Sequence, residues 1–253
     1  MRLLLLTLIF ILAALPARAE KLTIALSTSE IDISASFTGL PLTLFGVIEG
    51  DDGGAPPATS YQVAVMLLGP RESVVVRRKD RVLGIWANAA AQTIIYPPSF
   101  YSLSTSTLID NLAPPETLQR LQIGFDNIAF VYEARAVVND PGAEEFRDAF
   151  IRLKQEARLY EEDGAVGFIG NTVFRTTAFL PANLPVGSYT AIAYLFSGGE
   201  LIARAEEKVQ VSKTGFEARL AGFARNQSLA YGFLCVTLAV FIGWLGGVIF
   251  RRD

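Results

Sequence analysis

The sequence predicts a mainly β protein: an immunoglobulin-like β-sandwich with a helical insertion and one C-terminal transmembrane helix. Apolar and polar residues alternate with period two in two long stretches, a pattern typical of half-buried strands. A helical period of 3.6 separates these stretches. The last observation is an uncharged run of twenty-two residues, 229–250, which two arginines follow.

The first β stretch is residues 20–110. Leu22, Ile24 and Leu26 alternate with Lys21 and other less apolar residues, which predicts a strand with one buried face. Further strands are predicted at 31–37, 42–49, 61–68, 73–79, 82–86, 93–95 and 101–105. Turn residues separate them, most densely in a Gly/Pro loop after residue 50. The Cys…Trp…Cys pattern of true immunoglobulin domains is absent from the sequence, so the prediction concerns architecture only.

Residues 111–163 are predicted to form the helical insertion. Pro115 begins a short helix that runs to about Gln122 and that Gly124 ends, and Asp140 caps a longer one that ends at Gly164. The longer helix carries an apolar stripe of Phe146, Phe150, Leu153, Ala157 and Tyr160. We expect this stripe to pack on the sheet.

Strands return over residues 164–212, at 165–169, 172–179, 187–196 and 200–211. They either complete the first sheets or form a second β unit. Thr214 and Glu217 have capping-box spacing, which predicts a juxtamembrane helix over 213–228.

The two ends of the sequence predict the location. Residues 1–19 resemble a secretory signal: Arg2, an apolar run, then Ala17 and Ala19 flanking Arg18. The run 229–250 is long enough to cross a bilayer of about 30 Å as a helix. With the N-terminus exported, residues 251–253 would stay in the cytoplasm, as the positive-inside rule prefers. We therefore expect a single-pass bacterial inner-membrane protein with its bulk in the periplasm.

Several strings occur in a characteristic order between the signal and the span: KLTIALSTSEIDISASFTG, VVVRRKDRVLGIWAN, AEEFRDAFIRLKQEARLY and LPVGSYTAIAYLF. Over essentially its full length the chain resembles a family of alphaproteobacterial transmembrane proteins. The resemblance implies an inner-membrane protein with a periplasmic domain, without an assigned activity, that accompanies permeases of the sulfite-exporter type. None of the strings is a catalytic motif, so the resemblance implies no site residues.

The composition disfavours most chemistry. The chain has no histidine, and its one cysteine, Cys235, lies in the predicted span, so zinc sites and His- or Cys-dependent catalysis are not expected. We expect no catalytic residue, no metal and no cofactor. The net charge of −3 argues against nucleic acid as a partner. Two acidic clusters, 51–52 and 161–163, could meet calcium, but solvated surface charge is the favoured interpretation.

Three sets of residues are candidate contacts. Arg77, Arg78, Lys79 and Arg81 form the densest basic cluster and could hold an anion or an acidic partner, although solubilising charge on a turn is the simpler interpretation. The set Tyr96, Phe100 and Tyr101 lies in an aromatic/proline loop that either contacts a partner or caps the core. The pair Gly243 and Gly247 has Gly-x-x-x-Gly spacing for helix packing in the membrane.

These features favour a non-enzymatic, membrane-anchored periplasmic interaction module, an accessory subunit of an inner-membrane complex that could include a transporter. Its partner is the inner membrane together with another membrane protein or a second copy. One alternative is a ligand-binding or chaperone-like domain, which predicts an apolar groove with convergent polar groups. A membrane-tethered hydrolase is the other and requires clustered titratable groups in a cleft.

Overall fold

The computed structural model describes residues 20–50, 61–82, 84–133, 141–215, 220 and 223–249. Within them the strands are β1 Lys21–Leu26, β2 Glu30–Ile33, β3 Gly39–Glu49, β4 Gln62–Leu68, β5 Val74–Val82, β6 Ile85–Ile95, β7 Tyr101–Thr105, β8 Val131–Tyr132, β9 Tyr160–Ala165, β10 Gly167–Ile169, β11 Val173–Pro181, β12 Gly187–Ser197 and β13 Glu200–Lys213. The α-helices are α1 Pro115–Leu121, α2 Pro141–Glu156 and α3 Ser228–Ile249. The mainly β class with one C-terminal apolar helix is confirmed.

The described strands form three sheets. Sheet A has the order β1-β3-β11-β10, sheet B has the order β2-β13-β12-β4-β7-β9, and a small sheet C has the order β5-β6-β8. All pairings are antiparallel except β2 with β13 and β7 with β9 at the two edges of sheet B. Strands from before and after the insertion pair in both large sheets, β3 with β11 and β4 with β12, so the later strands complete the earlier sheets. The immunoglobulin-like detail stays a prediction.

The core lies between sheets A and B. Leu42 and Leu44 of sheet A and Val65 and Ala191 of sheet B line one small cavity of about 20 Å³, so the two sheets pack face to face. Strand β12 is buried continuously from 191 to 196, because the insertion covers the other face of sheet B. A strand covered on both faces loses the polar alternation of a half-buried one.

An aromatic cluster attaches the insertion to sheet B. Its members are Tyr101, Phe125, Phe130, Phe150 and Tyr160, and neighbouring ring centroids lie 5.6 to 6.0 Å apart. The Tyr101 hydroxyl donates to the carbonyl oxygen of Gln122 at 3.1 Å and accepts from the N–H of Gly124 at 2.9 Å. The Tyr160 hydroxyl donates to the carbonyl oxygen of Pro98 at 2.6 Å. Rings and hydroxyls together fix α1, α2 and the turn Phe125–Asn127 against β7 and β9.

The prediction that the long helix continues to Gly164 is wrong. Helix α2 ends at Glu156, where Arg158 takes a left-handed φ of 57°. The N–H of Leu159 then reaches the carbonyl oxygen of Lys154 at 2.8 Å, and the N–H of Arg158 reaches that of Gln155 at 2.8 Å, the two bonds of a Schellman motif. The chain leaves as strand β9, so the acidic cluster 161–163 lies on a strand.

The predicted stripe of α2 also changes. Phe150 is buried as expected, but Leu153 is 54% exposed, and the buried neighbour is Ile151. The helix is shorter than predicted, so the positions that would have continued the stripe lie beyond its end. Helix α1 ends at Leu121, within one residue of the predicted end near Gln122, and Gln122 caps it in a left-handed conformation with φ 56°.

Two strand predictions are corrected as well. The segment 82–86 is not a separate strand: it spans the connection between β5 and β6, and β6 runs on unbroken to Ile95. The second strand ends at Ile33, well before residue 37. The predicted signal 1–19, the loop charges at 51–52, the capping-box Glu217 and the tail 251–253 lie outside the described residues.

Candidate interaction site

The basic cluster lies on a two-stranded arm formed by β5 and β6. The arm is anchored in the body by Val76 and Ile94, which are 5% and 0% exposed. Beyond Val76 both faces of β5 are solvent-exposed, since the neighbours Arg77 and Arg78 point to opposite faces and neither is covered. A register shift after Arg78 marks a bulge, which increases the twist of the arm.

The tip of the arm carries large apolar side chains in water. Ile85 and Trp86 are 73% and 66% exposed. Arg81 pairs with Trp86 across the two strands, and its guanidinium carbon lies 5.8 Å from the ring centroid of Trp86. Gly84, with φ 85°, permits the tight connection. The tip therefore combines an exposed tryptophan with arginine, the two residue types most enriched at the energetic centres of protein interfaces.

The four predicted basic contacts have different surroundings. Arg78 Nη1 lies 2.8 Å from Glu145 Oε2 of α2, a half-exposed ion pair that braces the arm. Such a pair contributes about 0–1 kcal/mol. Arg77 and Lys79 have no ion pair within the part of the chain that the structure describes. The arm therefore presents Arg77, Lys79 and Arg81 beside its apolar tip.

The aromatic/proline loop divides into two environments. Phe100 and Tyr101 are each 1% exposed and belong to the core, so they cannot contact a partner. Tyr96 is 61% exposed and has a left-handed φ of 50°. Of this predicted set, only Tyr96 is open to contact. Phe100 and Tyr101 are consecutive and both buried, so strand alternation in the sequence gives no signal that separates them from Tyr96.

Helix α3 carries the predicted packing pair. Its apolar side chains have no cover within the described residues: Leu229, Phe233 and Trp244 are 90%, 76% and 64% exposed. A Cβ atom built at Gly243 or Gly247 would meet nothing within 4 Å, so this face is open to close approach by another helix. A soluble core helix would be buried, and this one is long enough to span a membrane, with a mean hydropathy of 2.0 over Ser228–Gly247.

A family model described as "Putative transmembrane protein (Alph_Pro_TM)" matches residues 21–252. The chain belongs to this family. The match includes helix α3, so the family description and the exposed apolar helix both indicate membrane association through one candidate span. No curated protein matches the chain.

The sequence did not predict a cleft of about 290 Å³ that lies on the outer face of sheet B. Three arginines that are far apart in sequence, Arg71, Arg120 and Arg204, line it. Only the register of β4, β7, β12 and β13 and the position of α1 bring them together. No local pattern in the sequence signals this arrangement.

A second, wider cleft of about 950 Å³ is acidic. Asp110, Asp126, Glu162 and Asp163 are among its lining residues. Burial raises the pKa of the Glu162 carboxyl, while the N–H of Phe125, 2.8 Å from its Oε2, acts in the opposite direction. Asp126 is fully exposed, whereas Glu162 is half-buried, so the carboxylates of this cleft do not share one buried site. Among the described residues no three His, Cys, Asp or Glu side chains form a group that could hold a metal ion.

Proposed function

We propose that this protein is a non-enzymatic, membrane-anchored interaction module, an accessory subunit of an inner-membrane complex, with its β domain in the periplasm. The observation that carries the proposal is the exposed tip of the β5–β6 arm, Ile85 and Trp86. It lies beside Arg77 and Lys79, which form no ion pair with any residue that the structure describes. Large apolar side chains lower the free energy when they leave water, and a flanking positive rim selects an acidic partner surface. The partner is an integral membrane protein, and the family resemblance implies a transporter.

Helix α3 supplies the second half of the contact. The open face at Gly243 and Gly247 supports packing against a partner helix in the same bilayer. Two contacts on one tethered chain reinforce each other, because forming the first raises the effective concentration for the second. A weak arm contact is then sufficient for a stable complex.

Site-specific photocrosslinking tests the arm contact. The photoreactive residue p-benzoylphenylalanine replaces Trp86 in native membranes, and the matched control replaces Ile169, which is 49% exposed on sheet A. We expect position 86 to give an adduct with an integral membrane protein and position 169 to give none. Reversing Arg77 and Lys79 to glutamate should lower the yield at position 86 by about fivefold or more.

The control for charge reversal is the double change Arg152→Glu and Lys208→Glu, since both side chains are exposed and lie outside the arm. It should leave the crosslink unchanged. Adducts to lipid alone, or equal losses in both double variants, would refute the arm as a protein contact. Protease treatment of spheroplasts tests the orientation: a β domain that stays protected after the outer membrane is opened contradicts a periplasmic location.

The arginine cleft favours a second function, the binding of a small ligand. The cleft is concave, and Tyr101 of β7 lies in its wall. Its floor is apolar, and its arginines come from three separate parts of the fold, a composition typical of a ligand site. Interaction with a partner neither requires nor excludes this binding.

A further inference from the structure

The floor of the arginine cleft is apolar and rigid. Met66, Ile128 and Ile192 are 2%, 5% and 6% exposed, and they come from β4, the segment after the turn Phe125–Asn127, and β12. Leu68 and Leu121 complete the apolar wall. A volume of about 290 Å³ corresponds to about ten water molecules, so the cleft admits a small organic molecule and excludes a folded chain.

The rim of the cleft is cationic and already ordered. Arg71 Nη1 donates to the carbonyl oxygen of Tyr96 at 3.1 Å, which fixes that guanidinium. The guanidinium of Arg204 lies over the ring of Tyr194, 5.7 Å from its centroid, and pairs with Glu206. Side chains held in this way lose little conformational entropy when a ligand binds.

The third cation is uncompensated. Arg120, exposed in the last turn of α1, has no ion pair or side-chain hydrogen bond within the part of the chain that the structure describes. The lining residues include three arginines and no carboxylate. In a chain with a net charge of −3, this local excess of positive charge is the opposite of the overall balance. It concentrates anions at the mouth of the cleft.

We propose that the cleft binds a small organic oxyanion, a carboxylate or phosphate carried on an apolar body, with Arg120 as the principal anion contact. The inference rests on the second function, ligand binding, and is independent of the partner contact at the arm. The apolar body lies on Met66, Ile128 and Ile192, and the anionic group faces the three guanidiniums. Arginine suits this role because its planar fork can donate two parallel hydrogen bonds to one carboxylate or phosphate.

The test uses full-length protein in phosphatidylcholine nanodiscs, titrated calorimetrically with phenyl phosphate, which combines a ring with an oxyanion. Benzamide, its neutral counterpart, and inorganic phosphate, which lacks the apolar body, are the comparison probes. We expect phenyl phosphate to bind, with both comparison probes at least about tenfold weaker. Raising the salt concentration should weaken binding, because the guanidiniums are exposed.

The variant Arg120→Gln removes the uncompensated charge at an exposed position, and Arg152→Gln is the matched change on α2. Arg120→Gln should weaken phenyl phosphate binding about tenfold, and Arg152→Gln should leave it unchanged. Equal effects of the two changes, or no binding of phenyl phosphate, would overturn the proposal. If benzamide binds as tightly as phenyl phosphate, the cleft is a ligand site but does not select an oxyanion, and the proposal is wrong. If inorganic phosphate binds as tightly as phenyl phosphate, the claim that the ligand carries an apolar body is wrong.

A second set of nanodiscs, containing phosphatidylglycerol, distinguishes the source of the anion. Competition by that lipid assigns the site to a lipid headgroup, and undiminished phenyl phosphate binding assigns it to a soluble ligand. Both results support recognition of an oxyanion.

Discussion

Gly46→Ala should destabilise the β domain strongly for a change of one methyl group. Gly46 of β3 lies directly opposite Phe174 of β11, and the ring covers the position where a side chain would begin. A Cβ atom at residue 46 would lie 2.0 Å from Cζ of Phe174 and 2.4 Å from its Cε1. Because Phe174 is 0% exposed, the ring has no solvent to move into.

The magnitude follows from the displacement that the methyl group imposes. Carbon atoms that do not share a bond pack at about 3.5 to 4.0 Å, so ring and strand would have to separate by about 1.5 Å or more. Phe168 packs edge-on against the ring at 6.2 Å and limits that movement. Overpacking of this kind costs about 1–3 kcal/mol, and the tight site places Gly46→Ala near the upper value. For a domain of this size that corresponds to a fall in Tm of about 6–12 °C.

The assay is thermal unfolding of the purified full-length protein in detergent, followed by the β-sheet band in circular dichroism. Gly167→Ala is the matched control, because a Cβ atom there meets nothing within 4 Å and the residue lies in the same sheet. It should change the free energy of unfolding by less than about 0.5 kcal/mol. The double change Gly46→Ala with Phe174→Leu should cost less than the sum of the single changes. Equal Tm values for Gly46→Ala and Gly167→Ala would refute this packing.

Three further predictions concern other contacts. Tyr160→Phe keeps the rings of the aromatic cluster but leaves the buried carbonyl oxygen of Pro98 without its donor, so it should lower the free energy of unfolding by about 1–3 kcal/mol in urea titration. Glu162→Gln should flatten the dependence of folding stability on pH at acid pH. The folded-state pKa of the Glu162 carboxyl is raised, so folding favours its protonated form. The stability of the wild-type protein therefore falls as the pH rises from the ordinary pKa of 4.5 through the folded-state pKa. The gain near neutral pH should stay below about 1 kcal/mol, since solvent screens this half-buried group. The double change Gly243→Ile and Gly247→Ile should weaken the association of helix α3 with its partner helix in a membrane two-hybrid assay.

Each of these three has its own check. A Tyr160→Phe protein as stable as wild type would show that water replaces the lost donor. For Glu162→Gln, Tm measured against pH should stay level where the wild type declines, and parallel profiles would contradict the assignment. For the span, Leu238→Ile on the far side of the helix is the control, and unchanged association in the glycine double variant removes the packing face.

The two-residue alternation of apolar and polar residues, together with the turn residues, was sufficient to predict the β class and most strands from the sequence. The misplaced end of α2 shows where such reasoning stops. Asp163 and Gly164 are good helix terminators, yet a left-handed Arg158 ends the helix, because burying Leu159 and Tyr160 outweighs the strain of a non-glycine residue there. Tertiary packing makes that choice, and no local pattern in the sequence encodes it.

The candidate sites divide in the same way. The basic residues from Arg77 to Arg81 were visible because they are adjacent in sequence. The exposure of Ile85 and Trp86 was not, because apolar residues in an alternating strand are normally counted toward the core. The arginine cleft was invisible, since Arg71 and Arg204 come together only through strand order.

Strand β13, the last described strand of the chain, determines how a force on helix α3 would reach the β domain. Strand β13 runs for fourteen residues between β12 and the short parallel strand β2, and the N–H of Thr214 extends the β2 contact to Ile33 at 3.0 Å. The chain continues from this strand toward the span. Any force transmitted from helix α3 would therefore act on two hydrogen-bonded ladders at once, those that β13 forms with β12 and with β2.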